Sequence, residues 1–301
     1  MNPITRLKLK NLQILLGYVL ESDLSFNRRQ FVRRLGRRPD LDAPKTFAEK
    51  LIYLKMYYEN PLQTLCADKF TVCEYVKCCG YPEILKELYQ VCTSPEEIDL
   101  DRMPETFFIQ CSHTQGHNFV VSKKDPARLE EIKGLYRALL KRRHHRVLRE
   151  NCYRNITPRI LCSEYLKQPG QDALVDYKFY CFDGEVKYFM VSYGELEHNV
   201  RNHKFDRNWN SIDHFFKKDP AIAAGEIQKP KNFDKMVEIA EKLSEPFPHV
   251  RVDLYNLDGR IVFGEMTFYS AGGFVKVASE EMDRRIGSWI DLDKHRAYMK
   301  K

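Results

Sequence analysis

Alternation of apolar and polar residues is strongest in two stretches of the second half of the chain. The first, V-D-Y-K-F-Y-C-F-D-G-E-V-K-Y-F-M-V-S-Y over residues 175–193, has an Asp-Gly pair at its centre. The second, R-V-D-L-Y-N-L-D-G-R-I-V-F-G-E-M-T-F-Y over residues 251–269, has another. Because Asp-Gly between alternating runs is a favoured hairpin turn, the pattern predicts two β-hairpins.

A third hairpin is predicted earlier in the chain. T-F-F-I-Q-C-S (106–112) and F-V-V-S-K-K (119–124) are short runs of strand-forming residues, and the polar turn H-T-Q-G-H-N (113–118) joins them. A further strand is predicted around residues 159–166, where R-I-L-C-S-E-Y-L is apolar. The turn contains a glycine, which permits sharp changes of backbone direction.

Helical periodicity fills most of the remaining chain. Thr46 is a suitable N-cap for one helix, and Gly80 with Pro82 would end another. Strand pairs separated by helices predict an α+β protein. The predicted helices cover residues 4–37, 47–59, 67–79, 126–150 and 232–244.

Composition adds a preference for anionic ligands. The chain has 301 residues and a formal net charge of +7, which favours a nucleotide, an acidic glycan or an anionic lipid surface. No motif for nucleic-acid recognition is present. The nine cysteines include no Cys-x-x-Cys pair, and the N-terminal apolar run is too short to span a membrane. We therefore expect a cytoplasmic protein with free thiols.

A basic run near the N-terminus leaves two interpretations open. R-R-Q-F-V-R-R-L-G-R-R (28–38) is either a solvated helix face or a peripheral contact with the inner membrane. Basic amphipathic helices bind anionic lipid surfaces through both charge and apolar area.

Two carboxylates stand out within the last predicted hairpin. A three-residue loop would pair Leu257 with Ile261 and would place Asp253 directly opposite Glu265. Opposed like charges destabilise a strand pair, so a cation such as Mg²⁺ between them would explain both. A two-residue loop would shift the register by one residue and separate the carboxylates. The pattern alone does not decide between a metal pair and two unrelated surface acids.

Five segments, in order, resemble the TupA-like branch of the ATP-grasp enzymes, named for teichuronopeptide biosynthesis. The resemblance runs from about residue 45 to about residue 290. It implies an ATP-grasp fold, in which two α+β subdomains clasp ATP, with a mostly helical N-terminal region. The segments are D-K-F-T-V (68–72), F-F-I-Q-C-S-H-T-Q-G-H-N-F-V-V (107–121), E-Y-L (164–166), D-Y-K-F-Y-C-F-D-G (176–184), and R-V-D-L-Y with F-G-E-M-T-F-Y (251–255 and 263–269).

The resemblance also implies a division of the chain. The expected parts are a basic helical extension (1–45), an N-terminal helical subdomain (46–105), a small ATP-grasp subdomain with a phosphate-loop hairpin (106–166), and a C-terminal subdomain with the metal site (167–301).

The implied function is a Mg²⁺- and ATP-dependent carboxylate–amine ligase of bacterial surface polysaccharide synthesis. It would join an amino acid or another amine to a uronic-acid carboxylate through an acyl phosphate, in capsule, lipopolysaccharide or teichuronopeptide pathways. The expected partners are therefore a glycan or small-molecule acceptor and an amine donor, and no nucleic acid.

Two other functions stay open. One is a glycosyltransferase of the same pathways, for which Asp-Leu-Asp at 40–42, 99–101 and 291–293 would be the metal motif. These three copies are scattered and lie in loop-like settings. The other is a catalytically degenerate protein that binds a nucleotide or a glycan.

The resemblance implies roles for single residues as well. Asp253 and Glu265 would hold Mg²⁺ against the ATP phosphates, with Thr267 as a weaker ligand. Lys178 and Arg201 would be catalytic cations facing the phosphates and the acyl phosphate.

Lys204 is a less favoured alternative to Arg201. The residues implied in ATP binding are Gln110, His113, Gln115, Gly116, His117, Asn118, Glu164, Tyr165, Leu166 and Lys178.

The chain departs from the family pattern at two positions. Gln110 stands where the family usually has a lysine that grips the phosphates, and Cys73 stands where it tends to have an arginine. Glutamine can donate a hydrogen bond but brings no charge. Both departures favour the degenerate alternative, whereas Asp253, Glu265 and Lys178 favour an active enzyme.

Overall fold

The N-terminal region forms two helices. The structure, a computed structural model, describes residues 2–168, 174–193, 201–216 and 227–300. Helix α1 (Pro3–Leu20) begins with a proline in its first turn, and α2 (Asp23–Leu35) begins after the N-cap Ser22. The single helix predicted over 4–37 is therefore wrong, because the chain breaks between α1 and α2. Within the described ranges, no helix combines the length and apolar character needed to cross a membrane.

The next helices are short and well capped. Helix α3 (Phe47–Tyr57) has a capping box, in which Thr46 and Glu49 bond to each other's backbone N–H groups, so the predicted N-cap is confirmed. The helix predicted over 67–79 is partly wrong. It begins only at Val72 as α5 (Val72–Cys78), after a separate helix α4 (Pro61–Ala67) that the pattern did not show.

A four-stranded antiparallel sheet, hereafter the small sheet, follows. It contains the hairpin predicted over 106–124, which is confirmed with Phe107 opposite Val121. Its order is β1-β4-β2-β3, and β1 was not predicted. The strands are β1 (Leu88–Cys92), β2 (Thr106–Cys111), β3 (Phe119–Ser122) and β4 (Ile160–Ser163).

The helix predicted over 126–150 is wrong beyond its first half. Helix α6 (Pro126–Leu139) ends where the basic run starts, and only one further turn, α7 (His145–Leu148), is helical. Arg142, His144 and His145, in the second half of the predicted helix, are buried. No glycine or proline marks this stop, so the tertiary packing of these basic residues sets it.

A five-stranded antiparallel sheet, hereafter the large sheet, carries both Asp-Gly hairpins, which are confirmed. Its order is β7-β6-β5-β8-β9. Helices α8 (Phe233–Ser244) and α9 (Glu280–Gly287) follow in the C-terminal half. The strands are β5 (Val175–Phe182), β6 (Glu185–Tyr193), β7 (Arg201–Asp206), β8 (Val250–Leu257) and β9 (Arg260–Thr267).

Each sheet has its own hydrophobic core. Side chains of β5, β6 and β8 pack with α8 and α3 in one cluster, whose members include Phe179, Phe189 and Met236. Side chains of β2, β4 and α6 form the other, which also includes Leu7 of α1. The nine cysteines are free. The two sheets are thus separately packed layers that can present facing surfaces to a ligand.

Candidate functional site

The last hairpin places Asp253 directly opposite Glu265, as predicted. The predicted route to that pairing is wrong, however. The turn has two residues, 258–259, and Leu257 pairs with Arg260. A two-residue turn by itself would have offset the two carboxylates by one position.

A β-bulge at Gly264 restores the register. The ladder runs from the pair Leu254–Phe263 directly to the pair Asp253–Glu265, so Gly264 has no partner of its own. A Cβ atom at this position would lie 2.9 Å from the Asp253 carbonyl oxygen. Only glycine fits there without a shift of the backbone. The carboxylate pair therefore depends on the turn and the bulge together.

Arg251 supplies positive charge between the two carboxylates. Its Nε and Nη2 donate to the two Asp253 oxygens, each at 2.6 Å, and Nη2 also donates to Glu265 Oε1 at 3.2 Å. Lys69, which follows α4, lies with its Nζ 3.2 Å from Glu265 Oε2. Arg251 and Lys69 therefore offset the negative charge of the opposed acids.

Lys178 extends this network onto the next strand. It lies opposite Asp253 in the β5–β8 register. Its Nζ donates to Asp253 Oδ2 at 3.2 Å and also to Asp176, two residues earlier on the same face of β5. Asp253, Asp176 and Lys178 are all buried. The catalytic cation implied by the resemblance is therefore held by two carboxylates.

Glu265 is ionised at neutral pH. Burial raises the pKa of its carboxyl group, but the charges of Lys69, Arg251 and Lys178 outweigh burial and lower that pKa to about 2. Thr267 donates its hydroxyl hydrogen to Glu265 Oε1 at 3.0 Å, so it lies beside the acids as expected.

These side chains line a cavity of about 520 Å³, hereafter the inter-sheet cavity. Its walls come from β2 and the β2–β3 connection on one side and from β5, β8 and β9 on the other. Of the site residues predicted from the sequence, it is lined by Gln110, Gln115, Gly116, Asn118, Lys178, Asp253, Glu265 and Thr267.

Four cations of this cavity were absent from the predicted site. Lys69 belongs to the D-K-F-T-V segment and Arg251 to R-V-D-L-Y. Both could therefore have been identified from the segments that carry the resemblance. Arg34 of α2 belongs to the basic run at 28–38, which was not predicted to reach this cavity, and Lys86, which precedes β1, carried no signal in the sequence. All four line the inter-sheet cavity, where only the folded chain brings them together.

Lys86 lies next to both positions at which the family pattern loses a cation. Its Nζ is 5.2 Å from the centre of the Phe108 ring, and Phe108 precedes Gln110 by two residues on the same face of β2. Burial, with the nearby charge of Lys69, lowers the pKa of Lys86 to about 8. Cys73 is close enough to affect the same lysine electrostatically.

Two of the histidines predicted to bind ATP lie elsewhere. His113 is buried, with its Nε2 3.2 Å from the Leu139 carbonyl oxygen at the end of α6. Burial lowers the pKa of His113 to about 4, so it is neutral. His117 lines a different cavity, on the far side of the β2–β3 connection.

The other predicted residues outside the inter-sheet cavity are Glu164, Tyr165, Leu166 and Lys204. Glu164 forms an ion pair with Arg260 at 2.6 Å and accepts a hydrogen bond from the Glu87 backbone. Lys204 is buried, with its Nζ 5.0 Å from the Phe216 ring centre.

Arg201 pairs with Tyr193 at the start of β7, but its side chain lies outside the described residues. The three Asp-Leu-Asp motifs do not reach the inter-sheet cavity. Most of the metal-side residues therefore converge, whereas Glu164, Tyr165 and Leu166, which were predicted to bind ATP, do not line the inter-sheet cavity.

The charges of the inter-sheet cavity suit a polyphosphate. Five cations line it against three carboxylates, which leaves a net charge of +2 when all are ionised. Mg²⁺ is usually held by one or two carboxylates together with phosphate oxygens and water. Asp253 and Glu265 meet that requirement if the Arg251 guanidinium moves away from the two carboxylates. The described residues contain no cluster of three or more His, Cys, Asp or Glu side chains that could hold a metal, so phosphate oxygens would have to complete the shell.

Comparisons with known proteins agree with this picture. A sequence model of the family described as TupA-like ATPgrasp matches residues 49–291, which is more than half of the chain. No curated protein matches the sequence.

Among solved structures, D-alanine–D-alanine ligase from Bacillus anthracis is 15% identical, with a TM-score of 0.47 over 80% of this chain and 72% of that one. The same enzyme complexed with ATP is 12% identical, with a TM-score of 0.44 over 80% and 70%. The ATP-grasp ligase PsnB complexed with minimal precursor is 12% identical, with a TM-score of 0.39 over 70% of this chain, which spans only 55% of PsnB. These structural similarities are distant, and the family match alone bears on what the chain is.

Proposed function

The chain belongs to the TupA-like ATP-grasp family, and on that premise we propose that it is a Mg²⁺- and ATP-dependent carboxylate–amine ligase. The observation that carries the proposal is the network of Asp253, Glu265 and Arg251 at the inter-sheet cavity. Glu265 is ionised, and both carboxylates are held by side chains that can rotate away. Such a network can exchange a guanidinium for a metal–nucleotide complex.

The cations of the cavity would bind the triphosphate. Lys69 and Lys86 lie on the side of β2, and Lys178 lies on β5 between two acids. Gly116 has a φ of 72° and no neighbouring atom within 4 Å of a built Cβ, so the backbone of the β2–β3 connection is open to close approach by phosphate oxygens. Asp253 and Glu265 would hold Mg²⁺, which neutralises charge on the phosphates during transfer.

The proposed reaction has two steps. A carboxylate oxygen of the acceptor attacks the γ-phosphorus of ATP, the bond to the bridging oxygen breaks, and ADP leaves with that electron pair. The amine then attacks the acyl carbon, inorganic phosphate leaves, and the amine nitrogen loses one proton. Lys178 is the described cation best placed to face the transferred phosphoryl group, because it projects into the cavity beside Asp253. Arg201 keeps its predicted role on the acyl phosphate.

We propose a uronic acid of a bacterial surface polysaccharide as the acceptor and an amino acid or another amine as the donor. The resemblance to the family motivates this choice, and the net positive charge of the inter-sheet cavity suits an anionic acceptor. The glycosyltransferase alternative loses its support, because its motifs lie away from the cavity. Degenerate binding remains the alternative that the experiment must exclude.

We also propose a cytoplasmic protein whose helix α1 contacts an anionic membrane surface. Leu16 lies nine residues from the buried Leu7, which is two and a half turns at about 3.6 residues per turn, so the two point in opposite directions. Lys8 and Arg6 flank the outward side. The exposed apolar residues of this outer face are Leu9, Leu12, Leu16, Val19 and Leu20.

The outer face of α1 is a better membrane candidate than the basic run at 28–38. Arg37 of that run is bound to Glu49 and Asp283 at 2.7 and 2.8 Å, and Arg34 lines the inter-sheet cavity. Amphipathic helices bind membranes through an apolar face with flanking basic residues. Flotation with vesicles of phosphatidylcholine and phosphatidylglycerol tests the proposal. Leu16→Glu should abolish flotation, and Val32→Glu, on the exposed side of α2, should leave it unchanged.

The decisive experiment follows ADP release. The protein is incubated with Mg²⁺, ATP, a uronic-acid acceptor and a mixture of amino acids. We expect ADP and phosphate formation that depends on the acceptor, and an amide product in the mass spectrum. Glu265→Ala should abolish it, whereas Glu281→Gln, an exposed acid on α9, should not. ATP binding without any turnover would favour the degenerate alternative, and UDP release from a nucleotide sugar would favour a glycosyltransferase.

Thermal stability gives an independent readout of the metal. Because Arg251 occupies the carboxylates, Mg²⁺ alone should change the melting temperature little. Mg²⁺ with ATP should raise it, since a ligand of the native state stabilises that state. A large rise with Mg²⁺ alone would contradict the need for phosphate oxygens in the metal shell.

A further inference from the structure

A second cavity, of about 720 Å³, lies behind the β2–β3 connection. Helix α1 forms one wall and helix α6 the other, and His117 and Phe119 close the end nearest the hairpin. We refer to it as the α1–α6 cavity. It shares no lining residue with the inter-sheet cavity, so it is a separate space.

Arg142 is the unusual feature of this cavity. It is 8% exposed, and its Nε has no hydrogen-bond partner. Among the described residues, no carboxylate forms an ion pair with it. Burial lowers the pKa of Arg142, with no opposing charge to raise it. Buried charges are normally paired because an unpaired one is unfavourable. An uncompensated guanidinium lining a cavity therefore indicates a site for an anion.

The other charges of the α1–α6 cavity strengthen this conclusion. Arg6, Lys10 and Arg128 also line it, and its one carboxylate, Glu131, is already bound to Arg128 at 2.7 Å. Four cations thus face one acid, for a net charge of +3. Burial, followed by the charges of Arg142 and Lys10, lowers the pKa of His117. Glu131 offsets only one of the four cations, so the surroundings of the cavity keep a net positive charge.

The rest of the cavity wall is apolar. Leu7 of α1 and Ile132 of α6 belong to the core behind the wall, whereas Ile4, Leu135 and Phe119 are only partly buried and line the cavity. A small hydrated anion would leave these three side chains uncovered. An uncharged lipid would leave Arg142 without a partner. The combination fits a ligand with both a multiply charged head and an apolar body.

We propose that the α1–α6 cavity binds an anionic amphiphile, in which a phosphate head group that contacts Arg142 is joined to an apolar chain that packs against Ile4, Leu135 and Phe119. A phosphate suits several convergent cations because it is multiply charged and has several acceptor oxygens. This proposal does not rest on nucleotide binding, so a failure of the ligase proposal would leave it unaffected.

Decyl phosphate, kept below its micelle-forming concentration, is the probe. Calorimetric titration of the full chain should show saturable binding of one molecule. Decyl maltoside, which has the chain but no charge, should bind at least tenfold more weakly, and so should inorganic phosphate, which has the charge but no chain. Arg142→Gln should weaken decyl phosphate binding about tenfold or more, since a charge-assisted bond to a buried group is lost.

Two further variants distinguish binding in the cavity from non-specific electrostatic attraction of decyl phosphate to the protein surface. Arg143→Gln removes the same charge from the neighbouring, exposed position and should leave the affinity within twofold. Lys10→Gln, at the cavity rim on α1, should weaken binding about threefold without affecting folding. The proposal is overturned if decyl phosphate does not bind saturably, if Arg142→Gln binds it as tightly as the wild type, or if Arg143→Gln loses as much affinity as Arg142→Gln.

The same variants distinguish the source of the amphiphile. Vesicles of phosphatidylcholine with phosphatidylglycerol present head groups only at a bilayer surface. If Arg142→Gln lowers flotation with them, the head group comes from the bilayer. If flotation is unchanged while decyl phosphate binding is lost, the ligand is a free or carrier-linked amphiphile.

Discussion

Two networks of buried acids and bases use similar residues but differ in their hydrogen-bond donors. The first, the capping network, consists of Arg37, Thr46, Glu49 and Asp283. Glu49 accepts hydrogen bonds from three backbone N–H groups and from Arg37, and Asp283 accepts one from the Ala48 backbone. It joins α3 to α9. Glu49 is only 4% exposed.

The second, the cavity network, consists of Lys69, Lys178, Arg251, Asp253 and Glu265. Among the hydrogen bonds and ion pairs found for its two acids, every donor is a side chain. The Glu265 side chain is 31% exposed and faces the inter-sheet cavity. Both networks contain a glutamate whose pKa is lowered to about 2, so charge state does not distinguish them.

The difference distinguishes an acid that is fixed by backbone donors from one whose side-chain donors can be exchanged. A backbone N–H cannot leave without unfolding its helix, so the capping network is fixed. Side-chain donors can rotate to other partners, so the cavity network can accept a ligand in exchange. Donor type, rather than burial or ion-pair count, is therefore the informative property.

The largest expected effect comes from Glu265→Gln in the cavity network. Loss of one metal-binding carboxylate should lower acceptor-dependent ADP formation about 10³-fold, which corresponds to several kcal/mol of transition-state stabilisation. The free energy of unfolding should change by less than about 1 kcal/mol, since ion pairs of a carboxylate that is open to solvent contribute little. Initial-rate assays and urea unfolding measure the two quantities. If the loss of unfolding free energy exceeded the loss of transition-state stabilisation, Glu265 would be a structural acid like Glu49.

Glu49→Gln in the capping network should show the opposite pattern. It removes a buried charge that satisfies three backbone N–H groups and Arg37, so we expect a loss of about 3 kcal/mol in unfolding free energy. The dissociation constant for ATP should stay within twofold, because Glu49 does not line the inter-sheet cavity. Urea unfolding and calorimetric ATP titration check both statements. Weaker ATP binding at unchanged stability would assign the network a functional role.

Lys86→Gln tests whether this lysine replaces the cation missing at Gln110. Among the described residues no carboxylate forms an ion pair with Lys86, so its charge is available to the cavity. The substitution should weaken ATP binding about tenfold.

Adding Gln110→Lys to Lys86→Gln should restore most of the affinity. Lys77→Gln, exposed on α5, is the matched control and should have no effect. If Lys86→Gln binds ATP as tightly as the wild type, Lys86 does not replace the cation missing at Gln110. ATP binding by the wild-type protein would still support the ligase proposal.

A smaller difference between the two networks is expected in how the free energy of unfolding depends on pH and on salt. A carboxyl group whose pKa falls from 4.5 to about 2 on folding stabilises the protein above pH 4.5 and loses that contribution as the pH falls toward 2. Protonation of either glutamate should therefore lower the free energy of unfolding at acidic pH. About 1 M NaCl shortens the screening length to about 3 Å, which weakens the charge pairs of Glu265 more than the backbone hydrogen bonds of Glu49.

Acid titrations of Glu49→Gln and Glu265→Gln with and without NaCl measure this difference. The gap between wild type and Glu265→Gln should shrink by up to about 1 kcal/mol in salt, and the gap for Glu49→Gln should persist. Equal salt sensitivity would mean that donor type does not govern the two acids.

Local patterns predicted the hairpins and the α3 cap because the signals lie within a few residues of one another. Asp-Gly turns and a Thr-x-x-Glu box need no tertiary partner to be recognised. The pairing of Asp253 with Glu265 was predicted correctly from a wrong turn length. The compensating bulge at Gly264 arises from a contact across the strands, which a turn rule cannot contain.

The cations of the inter-sheet cavity show where local patterns stop. Lys86 and Lys69 line the same cavity as Glu265 of β9, although they lie about 180 and 200 residues earlier in the chain, so only the packing of the two sheets brings them together. The stop of α6 before Arg142 has the same origin. No local breaker ends the helix, and the burial of Arg142 decides the path of the chain.

The β2–β3 connection forms a wall of both cavities. Gly116 and Asn118 line the inter-sheet cavity, whereas His117, between them, lines the α1–α6 cavity. Gly116 and His117 both have positive φ, 72° and 58°, and Tyr136 ties the His117 carbonyl oxygen to α6 at 3.0 Å. Because three successive residues line two cavities, a change in their conformation at one cavity would also alter the other.

Thermodynamic linkage then follows. If decyl phosphate changes the dissociation constant for ATP by some factor, ATP must change that for decyl phosphate by the same factor. A change of fivefold or more in both titrations would make the connection a transmitter between the two sites. The affinity for ATP would then depend on whether the amphiphile is bound in the α1–α6 cavity, and the chain that separates the two ligands would be a single residue thick.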